Sequence, residues 1–195
     1  MEVIYRSFGW VIPIFLIIST IAFFALFWVS KTAWRGTSRV PLLSVSRNWI
    51  LISWVLGVLL ITVIPNGGAV SNPFDEPRPY SLTPFDEWSE NGDFYLRGAL
   101  ESFLNFALFA VGGILFALFT QSRKMTLILS LSIFGLFIEV FQYISYWMRV
   151  ATVTDVIVYV LGSVAGVLLG SVVRGMLAER SRVRAQQKHP AALPG

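Results

Sequence analysis

Five stretches of this chain, at about 8–29, 49–64, 98–120, 126–148 and 154–173, stay apolar long enough to cross roughly 30 Å of hydrocarbon as helices. Inside hydrocarbon a backbone must satisfy its own N–H and C=O groups, and a helix does so within one segment. The 195 residues are 55% hydrophobic and only 13% charged, with a mean hydropathy of +0.69, far from the composition of a soluble domain of this length. The expected fold class is all-α: a polytopic helical membrane protein with five transmembrane helices and no second domain.

The polar segments between the spans set the expected topology. Pro13 falls early in the first span, where a helix needs no backbone donor. That span is too long for a removable signal peptide and has no small-residue cleavage site. Lysine and arginine concentrate in the short segment from Lys31 to Arg47, in the Arg123-Lys124 turn and in the tail at 174–195, with Arg174, Arg180, Arg182, Arg184 and Lys188. The longest polar stretch, 66–97, carries acids, prolines and the aromatics Phe74, Tyr80, Phe85 and Trp88. Positive charge stays on the cytoplasmic side of a bilayer. Five spans with the N-terminus outside, an external loop at 66–97 and a disordered basic cytoplasmic tail satisfy every segment at once.

Polar residues inside the apolar runs mark where the chemistry lies. Between Ile133 and Gly170 two spans and the short connection between them carry Glu139, Gln142, Arg149, Thr154 and Asp155, and the preceding span carries Asn105. An ionisable group in hydrocarbon costs a few kcal/mol or more unless it faces protein or water, so such residues are candidates for function. At about 100° per residue, Glu139, Gln142, Tyr143 and Tyr146 share one helix face. Asp155, Tyr159, Gly162, Gly166 and Gly170 share another, and the glycines form a doubled small-xxx-small strip that lets a neighbouring backbone approach closely. The partner helix is either in the same chain or in a second copy of a homo-oligomer. The topology gathers Arg97, Glu101, Asn105, Glu139, Gln142, Arg149, Thr154 and Asp155 at the outer end, where they are expected to line one cavity.

Each of these residues also has a purely structural reading. Glu139 with Gln142 can clamp helices together, Thr154 or Asp155 can cap a helix N-terminus, and Arg149 can anchor at the interface. With no cysteine, disulfides and thiol chemistry are excluded, and the single histidine, His189, cannot build a zinc site alone. No metal site and no cofactor are expected. The net charge of +4 follows from topology, and no pattern points to nucleic acid.

Read in order, Ser81-Leu82-Thr83-Pro84-Phe85, Asn105-Phe106-Ala107-Leu108-Phe109 through Gly113, Glu139-Val140-Phe141-Gln142, Arg149, and Asp155-Val156-Ile157 through Gly162 resemble the VanZ-like family of bacterial membrane proteins over residues 81–170. Three positions depart from that family's pattern: Ser81 and Tyr159 stand where it has asparagine, and Val111 where it has proline. Loss of the proline is expected to straighten the third span, and Tyr159 exchanges a compact amide for a large ring. The resemblance implies a bacterial plasma-membrane location and a link to teicoplanin resistance, without supplying a reaction.

Two readings stand foremost, and a third, a small transporter, draws little support from five spans without internal repeats. In the first, a non-enzymatic protein surrounded by membrane lipids holds a lipid-linked cell-wall precursor, a glycopeptide or another amphiphile at the outer leaflet through Asn105, Glu139, Gln142, Arg149, Thr154 and Asp155. In the second, a membrane-embedded hydrolase or transferase uses Glu139 and Asp155 as an acid–base pair. The absence of a recognisable nucleophile or metal motif favours the first.

Overall fold

The computed structural model describes residues 11–33, 42–63, 80–88, 93–145 and 151–188. Within them lie helices α1 (Val11–Ala33), α2 (Leu42–Val63), α3 (Asp93–Phe119), α4 (Lys124–Ser145) and α5 (Val153–Lys188). Two-residue strands β1 (Tyr80–Ser81) and β2 (Ala151–Thr152), with a 3-10 turn at Asp86–Trp88, complete the described elements. All five helices are long and apolar enough to cross a membrane. Their large apolar side chains are extensively exposed, among them Leu16, Ile17 and Phe24 on α1 and Ile133, Phe137 and Ile144 on α4, as expected of surfaces covered by lipid.

Helices that already sit in hydrocarbon gain little from burying apolar surface, so they associate through close packing and a few hydrogen bonds. The most extensive pair is α3 with α5. Gly162, Gly166 and Gly170 of α5 face the backbone carbonyls of Phe106, Ala110 and Ile114 of α3, and Gly113 answers from α3 against the backbone of Gly166 and Val167. Both series advance by four in the same direction, so the two helices run parallel. A methyl group on Gly162 or Gly166 would collide with the facing carbonyl oxygen. The strip is therefore filled by a helix of the same chain, and the second copy considered as its alternative partner has no room there. The antiparallel α4 connects the two and packs along α5.

Aromatic and hydroxyl side chains attach the first two helices. The Trp54 indole of α2 lies on Gly112, donates to the Leu108 carbonyl at 3.1 Å, and meets Phe109 and Phe116 edge-on. The α1–α2 hairpin is clasped by a hydrogen bond between the buried hydroxyls of Ser19 and Ser53, 2.7 Å apart, and by the Trp49 indole donating to the Ser19 carbonyl at 2.8 Å.

Element order puts the two ends of the bundle in contrast. One end carries β1, β2 and the 3-10 turn and is called the loop end below. At the opposite, basic end lie Lys31, Arg47, Arg123, Lys124 and Arg174. Here the structure corrects the sequence reading of a disordered tail from residue 174 onward, because α5 continues to Lys188. Its 36 residues span about 54 Å, far more than a bilayer core requires. Charge suggested a loop, yet Met, Leu, Ala, Glu and Arg between 176 and 188 are strong helix formers and no proline interrupts residues 153–189. The helix is also tied down, since Arg174 Nη1 donates to the Thr120 carbonyl at 2.6 Å and so satisfies an acceptor beyond the end of α3.

Gly166→Val is expected to destabilise the protein by about 1–3 kcal/mol or prevent folding, because the α3 backbone cannot yield. Gly175→Ala, one turn beyond the seam with nothing within 4 Å, should be neutral or slightly stabilising. Reversible unfolding of both variants in bicelles checks the contrast.

Candidate functional site

The site begins with the asymmetry of α4. Leu129, Ile133, Leu136, Phe137, Val140 and Ile144 form its exposed stripe, while Leu131, Gly135, Ile138 and Gln142 face the core. Glu139 stands on the shoulder between the two and is 5% exposed. A carboxyl group at that depth needs donors. The Tyr159 hydroxyl of α5 donates to Oε1 at 3.0 Å, and the Thr152 backbone N–H donates to Oε2 at 3.0 Å. Tyr159 reaches it because its ring lies where a Cβ on Gly135 would be, stacked on Phe109 with centroids 4.3 Å apart.

Thr152 carries the network into α5. Its hydroxyl accepts the Asp155 N–H at 3.0 Å, which makes Thr152 the helix cap. The capping role expected of Thr154 or Asp155 thus belongs to the residue two or three positions earlier. Asp155 occupies the first turn, where the helix dipole favours a carboxylate, and its Oδ1 accepts from Asn105 Nδ2 of α3 at 2.6 Å. Thr154 accepts the Phe85 N–H at 2.8 Å, and Gln142 Nε2 donates to the Thr62 carbonyl in the last turn of α2 at 2.8 Å.

The segment 80–88 is thereby docked on the start of α5. Tyr80 pairs with Ala151 and Ser81 with Thr152 in a parallel bridge. Phe85 adopts a left-handed conformation at φ 60, which costs a non-glycine residue about 1–2 kcal/mol, and its ring packs on Trp88 with centroids 4.9 Å apart. Trp88 in turn donates its indole N–H to the buried Ser102 of α3 at 3.3 Å. Between this segment and α4 lies a crevice of about 340 Å³. Tyr80, Ser81 and Leu82 form one wall, Val140 and Tyr143 the other, and Ala151, Val153 and Glu139 the inner surface.

The single cavity expected from topology is thus divided. Glu139 lines the crevice, whereas Asn105 and Asp155 pair with each other between α3 and α5, and Gln142 and Thr154 hold neighbouring elements. Glu101 is exposed on α3. Arg149 and Tyr146 lie outside the described residues, as does the side chain of Arg97. The sequence reading missed Thr152 and Tyr159 as partners of Glu139. A usable signal existed in Gly135, one helical turn before Glu139, since a glycine beside a buried acid leaves room for an incoming ring.

A family model described as VanZ/LLP1 matches residues 15–174. The chain belongs to the VanZ-like family. The match reaches from α1 through most of α5 and so includes the N-terminal hairpin that the recognised VanZ-like segments left out. No curated protein matches the chain, and no solved structure does. Five helices able to cross a bilayer, together with this membership, make it a multi-pass VanZ-like membrane protein. Where the VanZ-like pattern has asparagine, Tyr159 provides a donor to Glu139, and α3 runs without a break through Val111 in place of the proline.

Tyr159→Phe removes one donor from a buried carboxyl group and should cost about 1–3 kcal/mol in bicelle unfolding. In a double-mutant cycle with Glu139→Gln, a coupling of about 1 kcal/mol or more is expected, and additive losses would mean that the two side chains act independently.

Proposed function

We propose that this VanZ-like protein binds a lipid-linked or amphiphilic molecule of the bacterial envelope at its loop end, and that this end faces the outer leaflet of the plasma membrane. The observation that carries the reading is the crevice beside Glu139, roofed by the segment that bears the Ser81–Phe85 motif. Its size falls at the small end of ligand pockets, and its apolar walls with one buried polar group suit an amphiphile. The orientation is supported by the basic residues gathered at the opposite end. Teicoplanin tolerance follows in this reading from masking a lipid-linked cell-wall precursor or restricting access to it.

Binding is favoured over catalysis by what the two carboxyl groups do. Glu139 accepts from Tyr159 and Thr152, while Asp155 faces Asn105 and does not line the crevice. An acid–base pair needs both groups within reach of one substrate.

Expression in a Gram-positive host is expected to raise the teicoplanin concentration needed to stop growth. Glu139→Gln at equal membrane abundance should lose most of that rise, and Gly175→Ala should keep it. No change with wild type would remove the antibiotic from the account, and full activity in Glu139→Gln would remove the crevice.

A further inference from the structure

We propose that the crevice beside Glu139 holds the hydrocarbon chain of a membrane lipid, entered sideways from the bilayer, while the lipid head group stays outside. This inference rests on the amphiphile-binding reading and assigns which part of the amphiphile the crevice receives and by what route.

The position of Val140 sets the route. At about 100° per residue, Leu129, Ile133, Leu136, Phe137 and Ile144 all fall within roughly 60° of Val140 around α4, and all are exposed. Val140 is itself 46% exposed, and Tyr143, 39% exposed, stands at the edge of the same stripe. The wall of the crevice is therefore part of the surface that lipid covers, and its mouth opens onto lipid. The opposite wall comes from the docked segment, whose Leu82 is 71% exposed. Tyr80 and Tyr143, one from each wall, meet edge-on with centroids 6.1 Å apart, and such rings favour the membrane interface, where one side is apolar and the other wet.

The lining sets the occupant. Tyr80, Ser81, Glu139 and Tyr143 share the lining with Leu82, Val140, Ala151 and Val153, yet the surface turned into the space of about 340 Å³ is almost wholly apolar and a poor site for water. Left empty, the walls would forfeit dispersion contacts that a chain restores. The volume suits a stretch of chain but not a chain together with its head group. None of the described residues that line the crevice is basic, so a phosphate forced inward would find no cation to replace its lost hydration. The shared chemistry is thus an alkyl or polyprenyl chain, from an ordinary phospholipid or from a polyprenyl carrier lipid.

The test uses the full-length protein in nanodiscs containing one of three photoreactive probes: a phospholipid with a diazirine in its acyl chain, the same phospholipid with the diazirine on its head group, and a polyprenyl phosphate with the diazirine in its chain. After photolysis, labelled peptides are mapped. A chain probe is expected to concentrate on the peptides bearing Leu82, Val140 and Ala151, and the head-group probe is not. Val140→Trp and Leu82→Trp, which fill the mouth from opposite walls, should each reduce this labelling at least about tenfold, while Phe24→Trp on the exposed face of α1 leaves it unchanged. Preference for the acyl probe assigns an ordinary phospholipid, and preference for the polyprenyl probe a carrier lipid. Labelling spread evenly along the exposed stripes of α1 and α4, or head-group labelling inside the crevice, overturns the proposal while leaving amphiphile binding intact. Failure to retain any probe above an unrelated membrane protein overturns both.

Discussion

Glu139 carries a carboxyl group within a helix that lipid covers on one side, and the loop end is built around satisfying it. Among the described residues, donors reach it from two different places: a side chain on α5 and a backbone amide in the strand that precedes α5. The amide belongs to Thr152, whose hydroxyl caps α5 and whose strand pairs with β1. Removing the carboxylate would therefore disturb three things together: the hold on Tyr159, the start of the last helix and the seat of segment 80–88. Buried polar networks are costly when incomplete and stiffening when complete.

The network stands only because the helices behind it are fixed at backbone distance. The glycine strip of α5 against the α3 carbonyls sets the separation of the parallel pair, and Gly135 on α4 admits the Tyr159 ring between α4 and α5. Side-chain packing holds the rest of the bundle: Trp54 seats α2 on α3, and Gln142 closes the last turn of α2. Four helices thus converge on the loop end with little freedom. The crevice lies where the outermost of their contacts, between segment 80–88 and α4, leaves space.

Much of this was legible in the residues and some was not, for physical reasons. The five helices were, because hydrocarbon demands length and apolarity and little else. The glycine strip was legible as a seam, but not its occupant, since a small-xxx-small pattern records close approach and not the identity of the neighbour. Glu139, Asn105 and Asp155 were recognisable as costly residues needing partners, yet which of them meet was not, because topology fixes depth and not azimuth. Asn105 and Asp155 face each other across the α3–α5 pair, while Glu139 lies on the α4 shoulder. The end of α5 was missed because charge was weighed above helix propensity. The docking of Phe85 on Thr154 is a bond between residues 69 apart, beyond the reach of any local pattern.

Everything proposed for the loop end turns on an amphiphile held in the crevice next to Glu139. Native mass spectrometry of the protein released from nanodiscs made with envelope lipid extract tests it most directly, comparing wild type with Glu139→Gln and Val140→Trp. A lipid-mass adduct is expected to stay on wild type and to be largely lost from both variants. Bare protein in all three, or an adduct equally retained in all three, would contradict it.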